Sequence, residues 1–92
     1  MFYAYIMASE SGTLYTGFTT DLVKRVWDHK NNIVKGFTQK YSCHKLVYYE
    51  SSDSFDGALG REKEIKGWSR KKKENLINKI NPTWEDLYKY II

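Results

Sequence analysis

The sequence predicts a small α/β domain, and three patterns carry that reading. Residues 2–8 and 13–19 are two runs rich in aromatics and threonine, parted by Glu10-Ser11-Gly12, which is a β-hairpin pattern. Leu22, Val23, Val26, Trp27 and Ile33 follow at helical spacing. Leu46-Val47-Tyr48-Tyr49 is a short apolar run with the look of a third strand, and further helical pattern follows it.

The hairpin loop decides which side chains share a face. A two-residue Ser11-Gly12 loop puts Tyr5 and Tyr15 on opposite faces. A three-residue loop, with Gly12 left-handed, brings them together and pairs Tyr5 with Gly17 and Met7 with Tyr15. That register also sorts the residues better. One face gathers Phe2, Ala4, Ile6, Ala8, Leu14, Thr16 and Phe18, a predicted core. The other gathers Tyr3, Tyr5, Met7, Ser9, Thr13, Tyr15, Gly17 and Thr19, a candidate working surface. The three-residue loop is therefore expected.

Thr19 or Thr20 can cap a helix from about Asp21, whose end is weakened by Asn31-Asn32. Val34 to Cys43 reads as a polar loop with Gly36, and Lys45 to Ser51 as the third strand. Ser52-Asp53-Ser54 offers caps for a helix from about Phe55 to Trp68. Ser69 can cap another, running to about Lys79 or Ile80 and stopped by Asn81-Pro82, because proline disfavours helical geometry in the residue before it. Thr83-Trp84-Glu85-Asp86 opens a short last helix, with Asp86 near the capping-box position.

Composition narrows the function. Ninety-two residues make one domain, 1–92, with one modest core. A single cysteine, Cys43, excludes an internal disulfide, and no Cys/His spacing suggests zinc; Cys43 reads as a strand-edge or loop thiol. No apolar run reaches the roughly 20 residues that span a bilayer, and the N-terminus lacks a signal-peptide layout, so a cytoplasmic protein without membrane contact is expected. Net charge is +4. Residues 61–79 hold eight basic and three acidic side chains, a local +5, which leaves −1 for the rest. That concentration favours a polyanionic partner; the plainer alternative is a solvated helix face.

Taken singly, the candidate residues have ordinary explanations. Tyr5 and Tyr15 would be strand aromatics. Arg25 and His29, four apart on one helix face, would be solvated. Glu62 interrupts the apolar stripe Phe55, Ala58, Leu59, Ile65; buried carboxylates are rare unless paired or metal-bound, although a snorkelling glutamate at the stripe's edge is the alternative.

Together they form a pattern. Tyr5 in Phe2-Tyr3-Ala4-Tyr5-Ile6-Met7, Tyr15 in Leu14-Tyr15-Thr16-Gly17 and Arg25 in Asp21-Leu22-Val23-Lys24-Arg25 recur at intervals of ten, with His29 one turn on and Glu62 on a later helix. This order resembles the GIY-YIG nuclease family over about residues 2–77, with a C-terminal helix at about 83–91 beyond it. Arg61-Glu62-Lys63-Glu64-Ile65-Lys66-Gly67-Trp68-Ser69-Arg70 and Asn81-Pro82-Thr83-Trp84 look like the small stand-alone bacterial branch, similar to the N-terminal domain of the C component of the bacterial repair excinuclease. The resemblance implies a small mixed three-stranded sheet begun by a hairpin and flanked by helices. It also implies a Mg²⁺- or Mn²⁺-dependent DNA endonuclease of repair or processing.

In that frame Arg25 suits the phosphate, being always charged and bidentate, and Glu62 would hold the metal. Tyr15 or His29 would take a proton from the attacking water, with His29 better poised near neutral pH, and Tyr5 would orient water or phosphate. His29 is expected to outweigh Tyr5 in the rate. The family's late asparagine is assigned to Asn75 rather than Asn78. Tyr3 and Ala4 stand where the first element has glycine and isoleucine, and Phe18 where repair nucleases carry lysine. Lys66, Arg70, Lys71, Lys72 and Lys73 would track phosphates without sequence choice. Trp68 reads as a core residue tying two helices, or as a base-stacking platform; Trp27 and Trp84 read as core. The alternative functions are a noncatalytic nucleic-acid-binding domain and a protein-interaction module. With no second domain, a protein partner or a dimer would supply selectivity.

Overall fold

The tip of the hairpin determines where the site can stand. In the computed structural model, which describes residues 1–92, β1 (Phe2–Ala8) and β2 (Leu14–Thr19) pair antiparallel. Tyr5 lies opposite Gly17 and Met7 opposite Tyr15. The Ser9 amide donates to the Thr13 carbonyl at 2.9 Å, and Gly12 has φ +93°. The predicted three-residue loop is the one that forms, because glycine takes the left-handed position without a Cβ penalty.

The third strand, β3 (Lys45–Ser52), pairs antiparallel with the other side of β1, giving the order β2-β1-β3. The sheet is thus antiparallel throughout, where a mixed sheet was expected. The intervening helices return the chain so that β3 runs the same way as β2, but β3 docks on β1 and never touches β2. Register slips between Ile6 and Met7, where a bulge admits one extra residue of β3.

Four helices cover the sheet: α1 (Leu22–Lys30), α2 (Phe37–Lys40), α3 (Phe55–Lys66) and α4 (Arg70–Ile80). Asp21 caps α1 by accepting from the Lys24 amide at 3.1 Å, while Thr19 supports Asp21 from behind; the cap thus falls one or two residues later than expected. Ser54 and Ser69 cap α3 and α4, each cap being worth about 1 kcal/mol. α2 falls inside the segment read as loop. It is a single turn opened by Gly36 at φ +101°, too short to show a period. α3 stops at Lys66, two residues short of the expected end. The last helix shrinks to a 3₁₀ turn, Leu87–Tyr90, capped by Asp86.

Both faces of the central strand are buried. Tyr5 and Met7 pack with Leu22, Val26, Cys43 and Leu46 on one side. Ile6 and Ala8 pack with Val47, Tyr48, Ile65 and Ile77 on the other. The face expected to be a working surface therefore carries half the core, because a three-stranded sheet this small leaves no face of its middle strand uncovered. Cys43 belongs to that core, fully buried, rather than to a strand edge. Trp27, read as core, is 48% exposed, and Ile33 lies beyond α1 at 59% exposed. The buried side of α1 is narrower than its apolar stripe, and only Leu22, Val26 and His29 fill it. Asn81 is buried; its amide donates to the carbonyls of Val47 and Glu85, tying the C-terminal segment to β3. No helix is long and apolar enough to cross a membrane.

Candidate active site

Tyr5 stands on the central strand, so its ring has to lie across a neighbour. Its neighbour in β2 is Gly17. A Cβ at position 17 would fall 2.5 Å from Tyr5 Cζ and from its hydroxyl. Only glycine leaves room there, which gives the Tyr-x-Gly spacing a steric cause. The ring passes over Gly17, and the hydroxyl meets His29 Nε2 at 2.7 Å. On the other side of the imidazole, Nδ1 meets Thr38 Oγ1 of α2 at 3.0 Å. Tyr5, His29 and Thr38 are all 0–1% exposed.

Burial dominates the chemistry of this chain of bonds. Desolvation drives His29 down to about 4, helped by the nearby Arg25 charge. Burial also raises the Tyr5 hydroxyl well above the usual tyrosine range, with Tyr15 adding to the effect and Arg25 opposing it. Both groups are neutral at pH 7. A neutral imidazole carries one ring proton, so His29 donates one of its two bonds and accepts the other. Burial and two protein partners set His29 apart from the solvent-facing histidine on which a neutral-pH proton transfer was expected. His29 faces no solvent and spends both ring nitrogens on protein partners, so it holds Tyr5 in place.

This arrangement makes stability depend on pH. The unfolded chain protonates His29 below about 6.5, the folded chain only below about 4. Between those values the unfolded state binds more protons, so stability falls as pH drops. We expect the wild-type unfolding free energy from urea titrations to decline from pH 6.5 to 4 by an amount on the order of 2 kcal/mol, and the His29→Gln profile to be flatter in that window. Equal slopes would contradict it. Asp86 acts lower down. Burial pushes its carboxyl up, but Lys30 and the amides of Tyr88 and Leu46 outweigh this and hold it below 3.8, so its contribution is lost only under that pH.

Tyr15, on the edge strand β2, is half-buried. Its ring centroid lies 6.4 Å from Tyr5, 5.4 Å from His29 and 6.1 Å from Phe37. Beside it runs a cleft of about 260 Å³ lined by Leu14, Tyr15, Thr16, Phe37, Lys66 and Lys73. Arg25 is partly buried near Tyr5 and His29, and no ion pair of the chain includes it.

Glu62 comes from α3, on the side it shares with buried Ala58 and Ile65, and its charge reaches Tyr5. It is 6% exposed. Its Oε2 lies 2.8 Å from Lys66 Nζ as an ion pair, and that half-exposed ammonium is the one partner it has. The pairing raises the Lys66 ammonium above its usual range. No group of three or more His, Cys, Asp or Glu assembles anywhere. One carboxylate whose only partner is a half-exposed, displaceable lysine still fits a Mg²⁺ ion, which keeps several waters and takes one or two protein carboxylates plus substrate phosphate.

The remaining predicted residues divide. Arg70 pairs with Glu74 at 2.7 Å, approaches Gly12 at the hairpin tip, and lines a second cleft with Thr13, Leu14 and Lys73. Lys72 lies over the Trp68 ring at 4.5 Å, with Arg61 also over it at 5.0 Å. Trp68 packs on the second cluster, which favours its core reading. Lys71 is exposed. Asn75 is exposed on α4, and its side chain makes none of the hydrogen bonds that position the tyrosines. Thr38 and Phe37, which sequence reasoning passed over, stand at the site, and nothing in their segment's composition marked them.

A half-buried tyrosine, a buried tyrosine–histidine pair, an arginine outside every ion pair and a buried carboxylate thus come from β1, β2, α1 and α3. A family model described as the GIY-YIG catalytic domain matches residues 1–75, and the chain belongs to the GIY-YIG family. Its relatives are small stand-alone proteins of the group called UPF0213. That of Haloquadratum walsbyi is 39% identical over 74 residues, covering 80% of this chain and 83% of that protein. That of Staphylococcus saprophyticus is 42% identical over 76 residues, covering 83% and 93%. The solution NMR structure of the UPF0213 protein BH0048 from Bacillus halodurans superposes with a TM-score of 0.61 at 32% identity, covering 99% of this chain and 98% of that one.

Proposed function

We propose that this domain is a Mg²⁺- or Mn²⁺-dependent endonuclease that hydrolyses DNA phosphodiester bonds in repair or processing. The observation that carries the reading is a glutamate at 6% exposure whose partner is the half-exposed Lys66 ammonium, with an arginine free of any carboxylate also within electrostatic reach of Tyr5. A carboxylate buried with so little compensation is costly to keep in a folded protein unless a ligand completes it. A bound divalent cation, held by Glu62, would supply a Lewis acid to the scissile group.

The chain's own groups do the rest. Arg25 binds two phosphoryl oxygens side by side. Tyr15, which lines the cleft, orients the attacking water. His29 holds the Tyr5 ring, and the Tyr5 hydroxyl marks the back wall of the site. Because one hydrogen bond links Tyr5 to His29, Tyr5→Phe and His29→Ala are expected to lose comparable activity, a revision of the ordering read from sequence. Lys66, more than half exposed, neutralises Glu62 and can turn to a phosphate, while Arg70 and Lys73 follow the strand. A protein partner or a second copy would choose among DNA structures, and a cytoplasmic setting follows from such a substrate.

The test is cleavage of supercoiled plasmid and of a branched duplex, with Mg²⁺ or Mn²⁺ and with chelator. Wild type should cut only with metal, and Arg25→Ala should lose about a hundredfold or more. Salt-dependent binding without cutting would instead select the noncatalytic reading, which the Lys66–Glu62 ion pair favours. Binding indifferent to salt would point to a protein partner.

A further inference from the structure

A small core normally hides its aromatics, yet Phe37 and Tyr41 remain 45% and 44% exposed next to the site. Their ring centroids lie 4.7 Å apart with the planes tilted by 46°, and Phe37 lies 6.1 Å from Tyr15 at an interplanar angle of 32°. Phe37 thus touches both neighbours in a run of three rings, Tyr15, Phe37 and Tyr41. The Lys40 ammonium stands 5.4 Å from the Tyr41 ring centre. Phe37 forms one wall of the 260 Å³ cleft, while Lys66 and Lys73 line the same cleft. Arg70 and Lys73 continue the basic side toward the hairpin tip.

We propose that Phe37, which opens α2, and Tyr41, which follows its last residue, are a stacking platform for an unpaired base of the strand whose phosphates lie along Lys66, Lys73 and Arg70. The inference rests on the nucleic-acid reading above and adds the discriminating contact to it. An aromatic wall beside a cationic one matches a single strand, which offers a flat ring and a charge with each nucleotide. A fully paired duplex keeps its base faces stacked inside and offers this wall nothing. Gly36 at φ +101° turns the chain directly ahead of Phe37 and sets the platform's angle. Lys66 and Arg70 already have Glu62 and Glu74 as partners, but Lys73 enters no ion pair, and an apolar protein partner would leave it without a counter-charge, which argues for the strand.

The test measures binding in chelator, so that nothing is cut, by anisotropy of two labelled oligonucleotides: a duplex with a single-stranded flap and the same duplex fully paired. The flap carries 2-aminopurine, whose emission falls on stacking. Wild type should prefer the flap and quench the probe. Phe37→Leu and Tyr41→Leu keep apolar cover over Tyr15; each should weaken flap binding roughly tenfold, well inside the range for stacking one base. They should restore the emission and leave duplex affinity and the salt slope as in wild type. Unchanged flap affinity, or equal losses on flap and duplex, overturns the platform while the nucleic-acid reading stands. If wild type binds neither oligonucleotide, both fail together.

Discussion

Glu62→Gln should abolish metal-dependent cutting while leaving the fold as stable as wild type. The two halves of that expectation have separate causes. A ligating carboxylate that positions a Lewis acid contributes several kcal/mol to the transition state, and each 1.36 kcal/mol is tenfold in rate, so the loss should be about a thousandfold. Stability follows the opposite logic. Glu62 is a charge at 6% exposure whose one partner is a half-exposed lysine, and burying such a group opposes folding. Glutamine keeps the shape and removes the charge. The ion pair that is lost involves a Lys66 side chain 55% exposed, so its worth is at most about 1 kcal/mol. Thermal unfolding of Glu62→Gln within a few degrees of wild type, beside the lost activity, marks a group kept for function. A collapse in stability would make Glu62 a structural residue instead.

Gly17→Ala should be among the most damaging single methyl additions in the chain. The new Cβ would sit 2.5 Å from Tyr5 Cζ and hydroxyl and 2.8 Å from Cε1. The ring is fully buried and cannot swing into solvent, so either the strands part or the ring tilts away from His29. Overpacking alone costs about 1–3 kcal/mol, and a buried histidine deprived of its partner adds about 1–3. Together they take a large share of the roughly 5–15 kcal/mol that stabilises a domain. We expect a melting temperature lower by roughly 10–25 °C. Combining Gly17→Ala with Tyr5→Leu, whose shorter side chain leaves the space over residue 17, should cost less than the sum of the single changes. Additive losses would place the strain elsewhere.

How much of this was legible depended on whether a residue's role is written in a period. The hairpin register was, because Gly12 and the alternation on both strands agree on one loop length. So were Tyr5, Tyr15, Arg25 and Glu62 as a set, since their spacing resembles a known order. What stayed hidden was three-dimensional. The steric use of Gly17 depends on a ring crossing from the next strand. The burial of His29 depends on α2, a single turn no periodicity reveals, which brings Thr38 onto the ring. Trp27 misled because an apolar stripe does not say how wide a strip the sheet covers. The choice of Asn75 could not be sharpened from the pattern, because residues two and five positions away on the same helix, Ile77 and Ile80, differ from complete burial to 62% exposure. The sheet was expected to be mixed because strand directions follow from where β3 docks, which no local signal states.

The decisive measurement is nicking of supercoiled plasmid in Mg²⁺ by wild type and Glu62→Gln, purified alike and matched in folded fraction. Nicking by wild type that chelator stops and Glu62→Gln lacks is the result expected of a metal-dependent nuclease built on this carboxylate. No nicking by wild type, or equal nicking by both proteins, would contradict it.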